Sequence, residues 1–226
     1  WSNKKVILDG ATTRALVINS CKHPLQSKTP DITFGHGTVD LSTIIPIDND
    51  FGVQITHQGE NANDQKPAIS TLISATATLN VDTKLYNNNN NKDLQITLSY
   101  LDPMLNMDSP IPITRDLDLI VSSPSKKIYT GDHLSNGDTQ HISTNEKVII
   151  RNNELEDGNY SIYIYANSFT DRLVQSDSAE QKFSVVASGP IKNGYLEFKN
   201  SIECPCEKCK QDLHFYCECN ESIEIG

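Results

Sequence analysis

LQITLSYLDPMLNMDSPIPITRDLDLIVSSPSKKIYTG, residues 94–131, decides the fold, because two strongly patterned segments in it are joined by a bridge that carries prolines. From 94 to 100, Leu94, Ile96, Leu98 and Tyr100 alternate with Gln95, Thr97 and Ser99, and Leu101 breaks the pattern. Side chains of a strand repeat with period two, so this reads as a half-buried strand. Beyond the bridge, Leu117, Leu119 and Val121 share one face, while Asp116, Asp118 and Ile120 share the other. One sheet should therefore carry two carboxylates side by side. Pro110 and Pro112 remove ladder donors from the bridge, which is expected to cross a sandwich edge rather than run as a central strand.

Working outward, residues 74–81 (SATATLNV) alternate cleanly, with Ala75, Ala77, Leu79 and Val81 on one face. Further strands are expected at 126–130, 147–151, 160–166 and 183–187, with turns at 136–138 (NGD) and 156–159 (EDGN) and a protruding loop at the Asn run 87–91. Short strands separated by turns of this kind favour a mainly β, two-sheet sandwich over 70–190.

Upstream, residues 11–20 (ATTRALVINS) have helical spacing, with Ala11, Leu16 and Val17 or Ala15 and Ile18 on one side and Thr12 as the expected N-cap. A loop with Pro24 and Pro30 leads to 34–41 (FGHGTVDL), where His36 between two glycines suits a tight turn. Residues 47–69 read as an irregular linker holding one short strand at 53–56, and 191–226 as a Cys-rich extension.

The 226 residues suffice for one full domain and an appendage. With 37% hydrophobic and 21% charged residues, the composition suits a β-rich fold better than a helical bundle. A net charge of -10 argues against nucleic acid, which needs clustered Lys and Arg, and is compatible with cation binding. Trp1-Ser2-Asn3-Lys4-Lys5 has no apolar core behind its basic residues, so no secretory signal is read there and the chain reads as a fragment.

In order and spacing, several short elements resemble the C-terminal β-jelly-roll domain of subtilisin-like serine peptidases, the subtilases. They are Tyr100-Leu101-Asp102-Pro103, the run from Arg115 through Asp116-Leu117-Asp118-Leu119-Ile120 to Val121, Ser123-Pro124 with Tyr129 and Gly131, Asn145-Glu146-Lys147-Val148, Gly158-Asn159-Tyr160, and Gln181-Lys182-Phe183-Ser184-Val185-Val186. The likeness covers roughly 70–190, and 11–46 is similar to the end of a subtilase catalytic domain. It implies a jelly-roll-like sandwich preceded by a small α/β remnant (1–46) that is loosely held without its catalytic partner. It also implies an upstream catalytic domain as partner, a protein or peptide substrate for the whole enzyme, and a secreted, lysosomal or cell-surface location. The nucleophile segment of that family is absent here, so no catalytic residue is assigned.

His23, His36, His57, His133, His141 and His214 read as structural or solvated, since no nucleophile turn accompanies them. Asp102, Asp116 and Asp118 are hard oxygen ligands at strand ends and make a candidate calcium site, against hydrogen bonding to backbone amides or Arg115. Cys204, Cys206, Cys209, Cys217 and Cys219 would pair as disulfides or hold zinc, with Cys21 as the sixth cysteine. Asn159 and Asn220 begin N-x-S sequons. Two alternatives remain: a carbohydrate- or protein-binding sandwich with no catalytic role, and part of a membrane protease and ABC-transporter fusion whose spans lie outside this chain. The 11–46 segment discriminates, because an independent binding module has no use for it.

Overall fold

The computed structural model describes residues 8–22, 30, 33–46, 50–56, 67–70, 74–86, 92–103, 113–131, 143–169 and 180–201. Helix α1 (Gly10–Ser20) is followed by β1 (Cys21–Lys22), β2 (Thr38–Val39), β3 (Gly52–Thr56), β4 (Ala68–Ile69), β5 (Ser74–Val81), β6 (Leu94–Tyr100), β7 (Arg115–Ser122) and β8 (Ile128–Thr130). After these come β9 (Asn145–Ile150), β10 (Gly158–Phe169), β11 (Gln181–Gly189), β12 (Gly194–Leu196) and β13 (Lys199–Ser201).

Two sheets hold most of these strands. One has the order β13-β5-β10-β7-β8, the other β12-β3-β11-β6-β9 with β4 also on β11, and β1 and β2 form a separate hairpin. Pairing among the described residues is antiparallel except between β12 and β3. Leu79, Leu119 and Ile162 from the first sheet meet Leu98, Val148 and Val185 from the second in one core, which also buries Tyr100, Tyr160 and Phe183 completely. The mainly β reading thus holds, with strands at the expected places. The sheets also take in β3 and β4 from the stretch read as linker, and β12 and β13 from beyond residue 190. The proline bridge, the Asn run and the turn at 136–138 lie outside the described residues.

The quoted motifs turn out to be the joints of this sandwich. Asp102 accepts the amides of Thr114 (2.7 Å) and Arg115 (2.9 Å), which fixes the entry into β7. On the other side of β7, β8 reaches only Ile120 to Ser122, so the amides of Leu117 and Leu119 lack strand partners there. A buried N–H without an acceptor is costly, and the facing sheet supplies both acceptors. The Tyr100 hydroxyl takes Leu117 N (3.4 Å), and the Glu146 carboxylate takes Leu119 N. Gly131 belongs to the same joint, since a Cβ there would lie 2.7 Å from both Cβ and Oε2 of Glu146. At the far end, Gly158, at φ 133°, packs on Pro124, and Tyr160 OH accepts from Glu156 N at 2.9 Å.

Two expectations need correction. The N-cap of α1 is Asp9, whose carboxylate accepts Thr12 N at 2.8 Å, whereas Thr12 lies inside the helix and pairs its hydroxyl with Ser184 Oγ at 2.8 Å. A carboxylate at that position also complements the partial positive charge of the helix start. Secondly, β6 is not half-buried: Thr97 and Ser99, on the face read as solvated, are 0% exposed. The cause is α1, which lies across the outer face of β6 and β11.

Candidate functional site

The docking of α1 is the feature most open to a functional reading. Ala11, Ala15 and Ile18, at spacings of four and three, turn inward together with Thr12 and Asn19. Ala15 meets Phe51, Val53, Ile55 and Val186 in a small apolar cluster. Around it the contact is polar. Thr12 pairs with Ser184, while Asn19 donates to the carbonyls of Val186 (3.0 Å) and Gln95 (3.3 Å) and accepts from Ser188 Oγ (2.8 Å). The helix therefore has the burial site that the sequence reading denied it.

Its C-terminal end is held by a cation. Successive residues of β9 face opposite ways, so Glu146 enters the sandwich while Lys147 points outward under α1. Lys147 Nζ donates to the carbonyls of Cys21 (2.8 Å), Ile18 (3.0 Å) and Asn19 (3.1 Å). Ile18 and Asn19 belong to the last turn of α1, where Ile18 O also accepts the cap N–H of Cys21, and a positive charge there meets the negative end of the helix dipole. Burial lowers the Lys147 pKa to about 8, opposed by Cys21, so the amine stays protonated at neutral pH. Burial also pushes the Cys21 thiol up, and its Sγ donates to Val17 O at 3.2 Å, which makes it an inert structural thiol.

His36 completes this corner. The turn that carries it is closed by Gly37 N donating to Phe34 O at 2.9 Å, as its flanking glycines suggest. Its Nδ1 is buried with no hydrogen-bond partner. Burial, reinforced by Lys147, lowers its pKa to about 4. A catalytic base of a Ser-His-Asp set needs a carboxylate or similar group to orient its ring, and Nδ1 of His36 has none. The other five histidines lie outside the described residues.

Several large apolar side chains of the N-terminal segment are in water, among exposed polar ones such as Thr13, Lys22, Thr38 and Ser42. Leu8, Val17, Phe34, Val39, Leu41 and Ile45 are between 41% and 55% exposed. Among the described residues, Leu101, which adjoins Gly10 at the start of α1, is the one other large apolar side chain exposed to this degree. Beside it, a groove of about 330 Å³ runs between Asp9, Ala11, Leu101, Arg115 and Lys182. Its lining holds no serine, cysteine or histidine.

Asp116 is buried and Asp118 half-buried on β7, opposite Ser168 and Tyr165 of β10, as their alternation implies. Asp102 stands at the strand entry with both oxygens already accepting amides. No group of three or more His, Cys, Asp or Glu placed to hold a metal occurs among the described residues. Asn159 is exposed on β10 and accepts from Asn80 Nδ2 at 2.8 Å. The five tail cysteines and Asn220 lie outside the described residues. Lys147 and Asn19 were not singled out from sequence. The available signal was a run, NEKVII, with charges on both faces of a strand, which requires a polar partner on each side.

No protein-family model matches this sequence, and no curated protein sequence matches it.

Proposed function

We propose that this chain is the C-terminal part of a subtilisin-like serine endopeptidase, in which a jelly-roll sandwich supports the catalytic domain through the segment around α1. One observation carries the reading. The segment buries one face on the sheet and leaves six large apolar side chains in water on the rest of its surface. Exposed apolar side chains gathered on one short segment mark an interaction surface, and an upstream catalytic domain is the partner that the sequence resemblance supplies.

Peptide hydrolysis would belong to the whole enzyme. A serine activated by a histidine attacks the scissile carbonyl, and none of the residues that do this is assigned to the present chain. What this chain contributes is positional: the Lys147 and Asn19 contacts fix α1 on a rigid double sheet. The same reading carries an extracytoplasmic location, in which the tail cysteines form disulfides and Asn159 accepts a glycan.

A serine-directed fluorophosphonate probe tests the proposal. The chain with its natural upstream sequence should be labelled at a single serine, with labelling lost on denaturation, and residues 1–226 alone should stay unlabelled. Stoichiometric labelling of the 226-residue chain, or none of the longer one, would overturn it.

A further inference from the structure

The corner where α1, the β1–β2 hairpin and β9 meet brings together a half-buried imidazole, whose Nδ1 is buried, and a buried ammonium. Lys147 is 3% exposed and fully engaged by three carbonyls. His36 Nδ1 is buried and without a partner. An imidazolium needs an acceptor for each of its two N–H groups, and at Nδ1 this corner supplies none. Protonation of His36 would also place a second cation in the field of the first.

The surrounding titratable groups do not relieve that conflict. On β1, the Cys21 thiol is held protonated by burial, and Lys22 pairs with Asp40 at 2.5 Å. Hydrogen bonds from Lys22 and Ser42 keep Asp40 ionised down to about pH 2, and they occupy it. Arg14 of α1 donates to Thr144, and Arg151 beyond β9 pairs with Asp93. Lys147 is thus the fixed charge that a protonated His36 meets.

The surface beneath α1 determines what gives way. Thr97, Ser99, Ser184 and Ser188 face the helix from β6 and β11, and water can satisfy hydroxyl groups once the helix leaves, whereas the small apolar cluster of Ala15 with Phe51, Val53, Ile55 and Val186 opposes release. The core between the sheets is apolar and gains nothing from water.

We propose that His36 is an acid-operated latch: when its ring takes up a proton, α1 and the β1–β2 hairpin leave the outer face of β6 and β11 while the two-sheet sandwich stays folded. The direction follows from linkage. The ring resists protonation when docked and accepts it readily when undocked, so docking is complete above the ordinary histidine value of 6.5 and is lost as pH falls toward about 4. The latch does not depend on the peptidase reading, since it concerns contacts within this chain.

Hydrogen exchange of the 226-residue chain, corrected for the pH dependence of intrinsic rates, tests it. Protection of peptides covering α1 should fall by roughly tenfold or more between pH 7 and pH 5, while β6 and β11 keep theirs. His36→Asn, which cannot titrate, should abolish the selective loss, and Lys147→Met should reduce it. If either variant fails to fold, the His36 titration in the unmodified chain, followed by NMR, decides. An ordinary pKa near 6.5, an unchanged acid response in His36→Asn, or joint loss of protection in α1 and β6 would each overturn the latch.

Discussion

The Glu146 carboxylate occupies the space that a side chain at Gly131 would need, and in that place it accepts the amide of Leu119 from the opposite sheet. Glycine at 131 is thus a steric consequence of a joint between sheets. Gly131→Ala should destabilise the chain by about 1–3 kcal/mol through overpacking. Glu146→Ala should cost about 1–3 kcal/mol by leaving a buried N–H without an acceptor. Because one of the clashing atoms is Glu146 Oε2, the double variant should cost less than the sum. Denaturant melts of the four proteins measure this, and strict additivity would mean that the two residues do not share the joint.

Asn19 ties α1 to both β6 and β11, and its contacts are made through side-chain groups that alanine lacks. Asn19→Ala should lower stability by about 1–3 kcal/mol. The loss should fall on the helix. Amide exchange in α1 should accelerate while that of β10, in the other sheet, keeps its wild-type rate, and equal acceleration in both would place Asn19 in the global fold instead.

How much of this was legible in advance follows from what a strand's alternation encodes. Leu94, Ile96, Leu98 and Tyr100 mark the inner face of β6 because apolar side chains repeat every second residue, and all four are in the core. Thr97 and Ser99 carry no such signal. Hydroxyl residues look the same whether they meet water or a helix that offers Thr12 and Asn19, so the docking of α1 could not be read from β6 alone. The Asp102 role was within reach, since an Asp-Pro step after a strand suits an end that must accept amides. The Glu146 and Lys147 roles depend on β7 and α1, which lie more than twenty residues away in sequence, and only the fold brings them together.

Lys147 makes the stability of the chain depend on pH. Its pKa in the folded chain, about 8, lies below the ordinary 10.5, so between these values the unfolded chain holds more protons and stability rises with pH on its account. Cys21 and the buried tyrosines Tyr100 and Tyr160, whose pKa values are raised, act in the opposite sense above about pH 9. The readout is therefore the difference between wild type and Lys147→Met from pH 7.5 to pH 9. Wild type should gain stability relative to the variant across that range. A constant or shrinking difference would mean that the buried ammonium keeps its ordinary pKa.

The exposed apolar side chains of the N-terminal segment make the strongest demand on the proposed assembly. Leu41 and Ile45, 51% and 48% exposed, touch water in this chain, so replacing both by lysine should change its melting by no more than the small amount typical of surface positions, within about 0.5 kcal/mol each. In a longer protein whose catalytic domain covers them, the same changes would bury two unpaired ammonium groups, which costs several kcal/mol or forces the domains apart. The double variant of the longer chain should therefore melt well below its parent and lose serine-probe labelling at a lower temperature. The 226-residue variant should match its own parent. If the longer chain tolerates both lysines as readily as the short one does, these positions remain in water in the whole protein, and the main support for a catalytic partner is gone.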